Sequence, residues 1–334
     1  MNHPSPALFF DSVNAYQKSA ALKAAIEIGL FTAIGSSPAT AAELASRCEA
    51  SGRGVRILAD YLTLAGFLIK ADGRYSLTAD TAFFLDRNSP AYCGGAVEFL
   101  LDPALVGSFD HLGCIVKKGG SAVPDKGTVA PEHPVWEKFA RAMAPMMMPT
   151  AQIAAAQFPL PAGEPSRVLD IAAGHGVYGI AFATANPACR VTALDWKNVL
   201  AVAGENARAA GVADRFDTIA GDAFTADLGT GYDLILVPNF LHHFNEADCT
   251  RFLRRVHEAL RPGGRVLIIE FVPNDDRISP HVPASFALVM LGSTPEGDAY
   301  TFAGYSRMLT DAGFHSPAKH DLLPTPQSAI VAVK

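Results

Sequence analysis

The sequence feature that most constrains the fold is a glycine-rich turn that follows a short apolar strand. The strand candidate 167–171 contains Asp170 and leads into the pattern Gly174-x-Gly176-x-x-Gly179. Glycines at such a turn allow a sharp backbone bend and a close approach to a ligand. This spacing matches the dinucleotide-binding pattern but also occurs in ordinary turns. The strand before it and the helix after it favour a ligand-binding turn.

Strands and helices alternate after this turn, which predicts a doubly wound parallel sheet. The last two strand candidates, 318–323 and 328–333, are joined by a short turn around Pro324 and Pro326, and so short a link makes them antiparallel. We therefore expect an α/β fold with a Rossmann-like sheet that is parallel except for its last strand. The remaining strand candidates are 190–195, 216–220, 232–238 and 265–271, and the helices between them include 198–210 and 246–260.

The first half of the chain is mainly helical and predicts a winged-helix domain. Residues 8–35 have apolar residues at helical spacing, and Thr40 and Glu43 are spaced as a capping box. A helix at 53–65 and a hairpin at 68–77 with an Asp-Gly turn complete the pattern.

Charge argues against DNA as the ligand of this domain. Residues 36–86 carry five basic and six acidic side chains, a poor match for a phosphate backbone. We therefore expect a packing or dimerisation module. Pro159, Pro161 and Pro165 mark a linker, so we place the helical domain at 1–158 and the Rossmann-like domain at 159–334.

Composition excludes several other classes of protein. With 49% hydrophobic residues the chain can bury a large core, and its formal charge of −6 disfavours general nucleic-acid binding. Five cysteines without a Cys-x-x-Cys pair indicate a reducing compartment, and there is no metal-ligand constellation. The sequence has neither a secretory signal nor a membrane span, so we expect a cytoplasmic protein.

Acidic residues after the next two strands indicate a nucleoside ligand. Asp195 ends the second strand, 21 residues after Gly174, where a carboxylate can accept bonds from both ribose hydroxyls. Asp222, Ala223 and Phe224 follow the third strand and suit an adenine, with Trp196 as a further ring face. NAD and S-adenosylmethionine both carry this ribose, so Asp195 alone does not separate them.

Together these motifs, and Leu260-Arg261-Pro262-Gly263-Gly264 after them, resemble those of class I S-adenosylmethionine-dependent methyltransferases. With the helical first half, the whole chain resembles the small-molecule O-methyltransferase family, which includes caffeate, acetylserotonin and bacterial antibiotic-pathway enzymes. The resemblance implies S-adenosylmethionine as cofactor, a homodimer with interlocking N-terminal regions, and an acceptor pocket between the domains. It implies cofactor contacts from Asp170, Gly174, Gly176, Asp195, Trp196, Asp222, Ala223, Phe224 and Asn239.

The same resemblance implies a catalytic base. His242 falls on the catalytic histidine of the family's His-Asp-Trp-Ser-Asp-type motif, and Glu270 matches one of two acidic residues that orient it. His243, Phe244 and Ala299 depart from the family's Asp, Trp and second acidic residue. Outside this motif, His175 in the glycine loop is expected to cap the helix or face solvent.

Position along the chain indicates an apolar acceptor pocket, although each of its candidate residues fits the core equally well. No Arg or Lys cluster accompanies them, so an aromatic or apolar acceptor is favoured over a highly anionic one. The candidates are Trp136, Phe139, Met143, Met147, Phe240, Phe286 and Met290.

The sequence therefore predicts a methyltransferase acting on a small, aromatic or secondary-metabolite acceptor, with O-methylation favoured. Three alternatives remain open: an NAD(P)-dependent oxidoreductase, a winged-helix regulator that senses S-adenosylmethionine, and a protein that uses the same cofactor site for non-methyl chemistry. The Asp222-Ala223-Phe224 element and the antiparallel last strand argue against the oxidoreductase.

Overall fold

A computed structural model describes residues 4–121 and 135–334 of the chain. The chain divides into two compact units, Met1–Leu101 and Asp102–Lys334. The sequence indicated a division at 158/159 instead. The helix Val135–Gln157 accounts for the difference, because it packs against helices of the second unit and belongs to that unit.

The first unit contains the expected helix, helix and hairpin. The side chain of Thr40 accepts a hydrogen bond from the backbone N–H of Glu43, and the Glu43 carboxylate accepts one from the N–H of Thr40, so the capping box is confirmed. Asp72 and Gly73 have φ of 49° and 74°, as a two-residue hairpin turn requires. The elements of the first unit are α1 (Ala7–Glu27), α2 (Leu30–Ile34), β1 (Ala39–Thr40), α3 (Ala41–Arg47), α4 (Gly52–Leu64), β2 (Leu68–Ala71), β3 (Arg74–Leu77), α5 (Ala79–Phe84) and α6 (Val97–Leu100).

The helix expected at 8–35 is two helices, because Gly29 takes a left-handed φ of 69° and ends the first. The buried core of this unit lies between α1, α2, α3, α4 and the small sheet, whose strand order is β1-β3-β2. The predicted wing is the hairpin of β2 and β3.

A seven-stranded sheet forms the centre of the second unit. Its strands are β4 (Ser166–Ile171), β5 (Cys189–Asp195), β6 (Phe216–Ala220), β7 (Tyr232–Pro238), β8 (Leu260–Glu270), β9 (His315–Asp321) and β10 (Ser328–Val333). The strand order is β6-β5-β4-β7-β8-β10-β9. Strands β4 to β8 pair in parallel, while β10 runs antiparallel to both β8 and β9. The predicted fold class is therefore confirmed.

Helices cover this sheet and bury its central strands. Strands β4 and β7, and residues 266–270 of β8, are almost wholly buried, which explains their continuous apolar runs. Among the described residues, no helix is both long and apolar enough to cross a membrane. The helices are α7 (Pro103–Val106), α8 (Leu112–Lys118), α9 (Val135–Gln157), α10 (Val177–Ala185), α11 (Lys197–Ala209), α12 (Glu246–Ala259), α13 (His281–Ser293) and α14 (Phe302–Asp311).

Candidate active site

The glycine-rich turn between β4 and α10 has the close backbone packing that its sequence predicts. Gly174 and Gly176 have left-handed φ of 57° and 73°. A Cβ on Gly179 would come within 2.7 Å of Val191 and 3.0 Å of the Asp170 carboxylate, so the first turn of α10 packs directly on the sheet. Asp170 holds this turn by accepting a hydrogen bond from the N–H of Gly179 at 2.9 Å.

Burial changes the acidity of Asp170. Its side chain is fully buried at the carboxyl end of β4, and its second oxygen, Oδ1, is buried without a hydrogen-bond partner. Burial raises the pKa of this carboxyl to about 8, with the nearby Asp195 adding to the effect. The unpaired oxygen beside a glycine turn marks a position where a bound donor or cation would be stabilised.

Asp195 lies at the adjacent strand end and supports the same turn. Its two carboxylate oxygens accept hydrogen bonds from the N–H groups of Gly174 at 2.7 Å and Trp196 at 2.6 Å. Each oxygen keeps further acceptor capacity, which is what two ribose hydroxyls need. Burial raises the pKa of Asp195 to about 6. The Trp196 ring packs against Ala140, Val199 and Val202.

Asp222 and Phe224 form the next part of the site, after β6. Asp222 accepts a hydrogen bond from the N–H of Phe224 at 2.8 Å, while Ala223 is buried between them. The Phe224 ring lies 4.8 Å from Phe244 and 6.0 Å from Phe240, centroid to centroid. Phe240, a candidate for the acceptor pocket, is therefore part of an aromatic cluster beside Phe224.

Asn239 belongs to a polar network that the sequence did not reveal. It follows β7 with a left-handed φ of 51°, and its side chain donates to the Tyr178 hydroxyl at 3.5 Å. Gln327, from the turn before β10, donates to the Asn239 amide oxygen and also contacts the Tyr178 hydroxyl. Tyr178 lies within the glycine pattern, but Gln327 is distant in sequence and carries no motif, so only the folded sheet brings Gln327 to this turn.

The expected dyad of His242 and Glu270 is formed. His242 Nδ1 lies 2.5 Å from Glu270 Oε2, and both side chains are buried. Glu270 Oε1 accepts hydrogen bonds from the N–H groups of Phe240 and Leu241, both at 3.0 Å. A carboxylate oxygen accepts, so the hydrogen bond to Glu270 places the proton of a neutral His242 ring on Nδ1 and its lone pair on Nε2.

The side chain of His243 contacts that basic nitrogen of His242. The Nε2 atoms of His242 and His243 are 3.1 Å apart, and the ring centroids are 4.2 Å apart. Burial, and then the neighbouring His242, lower the pKa of His243 well below its usual value. The sequence noted His243 only as a departure from the family pattern, because the facing of adjacent rings cannot be read from their order.

The second orienting carboxylate is absent from its expected position, as the sequence indicated. Ala299 is fully buried there, and the neighbouring Asp298 pairs with Arg277 at 2.8 Å. The backbone of this segment still supports the histidines, because the N–H of Asp298 donates to the His242 carbonyl at 3.0 Å. A Cβ on Gly297 would reach within 2.3 Å of the same oxygen, so the two segments pack backbone to backbone.

Several predicted pocket residues surround the two histidines. The edges of Trp136 and Phe286 meet the rings of His243 and His242 at 5.3 Å and 4.9 Å. Phe139 lies 5.8 Å from Trp136. Elsewhere, Met147 contacts the Tyr178 hydroxyl, and Met143 and Met290 are buried in α9 and α13.

His175 caps the start of α10 but does not face solvent. Its Nδ1 accepts a hydrogen bond from the N–H of Val177 at 3.3 Å, and its ring stacks on Phe139. The side chain is 2% exposed, so the solvent-facing expectation is wrong: Phe139 covers the loop. Burial lowers its pKa to about 4.

A cleft close to the dyad was not anticipated from the sequence. It has a volume of about 550 Å³ and lies between the end of α8 and one face of α13. Gly297 and Asp298, which contact the backbone of His242, form part of its wall. Its other lining residues include Gly120, Ala284, Leu288, Leu291 and Pro295.

Family models match both units. Residues 130–315 match the O-methyltransferase domain, and residues 10–87 match the O-methyltransferase dimerisation domain. This chain belongs to the O-methyltransferase family. The identification of an S-adenosylmethionine-dependent methyltransferase is thereby confirmed, and the oxidoreductase alternative gains no support.

Individual relatives agree with this assignment. The 3-hydroxy-5-methyl-1-naphthoate 3-O-methyltransferase of Streptomyces sahachiroi is 33% identical, over 92% of this chain and 89% of that protein. The tetracenomycin polyketide synthesis 8-O-methyltransferase of Streptomyces glaucescens is 31% identical, over 90% and 88%. A crystal structure from Nostoc punctiforme, provisionally assigned as an O-methyltransferase, is 51% identical, covers both chains fully and superposes with a TM-score of 0.96.

Proposed function

We propose that this enzyme transfers the methyl group of S-adenosylmethionine to a phenolic hydroxyl of an aromatic secondary metabolite, with His242 as the general base. The observation that carries the proposal is the buried contact of 2.5 Å between His242 Nδ1 and Glu270 Oε2, at the carboxyl ends of β7 and β8. The glycine turn, where the cofactor is expected, lies at the neighbouring end of β4.

The residues around the glycine turn fit S-adenosylmethionine. The spare acceptor capacity of Asp195 suits the ribose, and the Phe224 ring with the Asp222 carboxylate suits the adenine. The unpaired Oδ1 of Asp170 lies in the same turn and suits a cationic ligand. Asn239 and Trp196 stand at the adjacent strand ends and complete the proposed set.

The chain's own catalytic work is to hold the acceptor and take its proton. The cofactor supplies an electrophilic methyl group on a sulfonium. Because Nδ1 of His242 donates to Glu270, its Nε2 is left as the basic nitrogen, and the Glu270 carboxylate stabilises the imidazolium that forms. Such a base contributes typically about 10²–10⁴-fold to the rate.

The acceptor class follows from the walls of the site and from the relatives. Trp136 and Phe286 place aromatic edges at the histidines, and the nearby cleft is lined mainly by aliphatic carbons. Relatives that match nearly the whole chain are named for a hydroxynaphthoate and for a tetracenomycin polyketide. A fused-ring phenol is therefore the acceptor we favour.

We also infer a homodimer formed through the first unit. The helix α1 carries large apolar side chains that are more than half exposed, an unusual surface for a monomer. These side chains are Leu8, Phe9, Phe10, Val13 and Tyr16. The match to a dimerisation domain begins within this helix.

The test is transfer of a deuterated methyl group from labelled S-adenosylmethionine to a panel of hydroxynaphthoates, followed by mass spectrometry and NMR. We expect a product with the label on oxygen. A product labelled on carbon, or saturable cofactor binding without transfer to any phenol in the panel, would overturn the proposal.

A further inference from the structure

The basic nitrogen of His242 is not free to meet an acceptor directly. Its Nδ1 is committed to Glu270, and its Nε2 lies 3.1 Å from Nε2 of His243. At this separation one of the two nitrogens must carry the proton of a hydrogen bond. In the neutral His242 ring the proton is on Nδ1, so in this hydrogen bond Nε2 of His243 is the donor and Nε2 of His242 is the acceptor.

With the protons assigned in this way, the lone pair of the His243 ring lies on Nδ1. That atom is buried, and it has no hydrogen-bond partner in the described parts of the chain. A buried acceptor without a donor carries a desolvation cost, which a ligand donor would remove. The edge of Trp136, a candidate pocket residue, meets the ring at 5.3 Å and an angle of 79°.

We propose that His243 is a further catalytic residue, which accepts the acceptor's hydroxyl proton on Nδ1 and passes its own Nε2 proton to His242. This relay rests on the proposed function and assigns its first proton transfer to a different ring. His242 then acts one step behind the acceptor, between His243 and the Glu270 carboxylate.

The step balances in atoms and charge. The acceptor oxygen forms a bond to the methyl carbon as the carbon–sulfur bond breaks, and the electron pair of that bond stays on sulfur. The hydroxyl proton moves to Nδ1 of His243, and the Nε2 proton of His243 moves to Nε2 of His242. The positive charge of the sulfonium is thereby replaced by that of a His242 imidazolium beside Glu270.

Burial and charge both favour transfer of the proton from His243 to His242. The lowered pKa of His243 means that this ring does not retain a second proton. His242 is paired with a buried carboxylate that also accepts backbone N–H groups, so the charge is stabilised on the inner ring. After product release, the reverse transfer to His243 and loss of its Nδ1 proton would reset the pair.

The kinetic test uses His242→Gln, His243→Gln and the double variant, with His320→Gln as the control. Methyl transfer to a hydroxynaphthoate is compared with transfer to a nitro-substituted hydroxynaphthoate that is ionised at the assay pH. A relay predicts that each single variant loses about 10²–10⁴-fold on the first acceptor and that the double variant loses no more, because the rings act as one unit. Most of the loss should disappear on the ionised acceptor.

The outcomes separate the relay from the proposed function. If His243→Gln matches wild type while His242→Gln is slow, the relay is wrong and the proposed function stands. An equal loss of His243→Gln activity on both acceptors indicates a structural role and also overturns the relay. If the wild type methylates no phenol in the panel, the proposed function fails and the relay fails with it.

A measurement on the wild-type protein does not depend on the folding of any variant. Nitrogen NMR of histidine-labelled protein distinguishes a protonated ring nitrogen from one with a lone pair. We expect protons on Nδ1 of His242 and on Nε2 of His243. A His243 ring protonated on Nδ1 instead would contradict the relay.

Discussion

At the scale of single residues, the site is built from carboxyl groups that the sheet buries at neighbouring strand ends. Asp170 is the second-last residue of β4, and Asp195 and Glu270 end β5 and β8. Asp170 accepts the N–H of Gly179 in the first turn of α10, whereas Asp195 and Glu270 accept N–H groups from loops. Their environments differ. Glu270 accepts several backbone donors and a histidine, whereas burial dominates at Asp170 and Asp195 and raises their pKa values.

Replacing Asp195 by Ala should weaken S-adenosylmethionine binding. The change removes charge-assisted bonds to the ribose, which corresponds to about 1.5–3 kcal/mol, and also the acceptor for the Gly174 N–H. Calorimetric titration measures the loss. An unchanged dissociation constant in a folded Asp195→Ala variant would remove Asp195 from the ribose site.

The same carboxyl predicts a pH dependence of cofactor affinity. Its pKa is raised to about 6 in the free protein, so the carboxylate that accepts the ribose hydroxyls is lost as the pH falls through 6. We expect the contribution of Asp195 to affinity to be constant above about pH 7 and to decrease about tenfold per unit well below 6, because binding then requires loss of a proton. Asp195→Asn should abolish this dependence, and a wild-type affinity that is flat between pH 5 and 7 would contradict it.

The site residues could be predicted from the sequence only where a motif places them at the end of a strand. Asp195 follows from its position at the end of a strand, whereas His242 and Glu270 follow from the resemblance to the family, and the structure brings these two into contact. Gln327 and the facing of His243 could not be predicted, because they depend on contacts between segments far apart in sequence or on ring orientation.

At the scale of elements, the turn between β4 and α10 contains a strained position. Ala172 has a left-handed φ of 49°, where a Cβ is disfavoured and glycine is the usual residue. The sequence predicted a sharp turn from Gly174 and Gly176 but gave no sign that the turn already begins two residues earlier. The backbone path here is set by the need of β4 and α10 to pack closely at Gly179.

Replacing Ala172 by Gly should stabilise the protein. Relief of the left-handed strain, about 1–2 kcal/mol, exceeds the added entropy of a glycine in the unfolded chain, so a net gain of about 0.5–1 kcal/mol is expected. Denaturant unfolding measures it. Ala173→Gly is the matched control and should destabilise, because Ala173 is buried and its φ is not left-handed. Destabilisation by both changes would contradict the strain.

Element boundaries were predicted well where the pattern has a local cause. The Asp-Gly turn and the capping box fix the hairpin and the start of α3. Strand β8 begins at Leu260, before the expected Arg265, because Leu260 already pairs with Tyr232 on β7. A register shift accommodates the Pro-Gly-Gly segment between Leu260 and Arg265. The pairing of Leu260 with Tyr232 is a tertiary contact that the local sequence does not indicate, and the Pro-Gly-Gly segment by itself favours a turn.

At the scale of the whole molecule, the exposed face of α1 predicts self-association. The side chains of Leu8 and Phe9 are 79% and 63% exposed in the single chain, and burying them against a second copy would be favourable. We expect twice the chain mass in light scattering. The double variant Leu8→Glu, Phe9→Glu should be monomeric, whereas Ile278→Glu, equally exposed but in the second unit, should remain a dimer. A monomeric wild type would contradict the homodimer.

The central claim, that a buried His242–Glu270 pair serves as the base for O-methyl transfer, is tested most directly by single-turnover transfer to a hydroxynaphthoate in Glu270→Gln. The glutamine keeps a carbonyl oxygen for the loop N–H groups but loses the charge that stabilises the imidazolium. We predict an unchanged affinity for S-adenosylmethionine and a transfer rate lowered by at least about 10²-fold. Transfer at the wild-type rate would contradict the account.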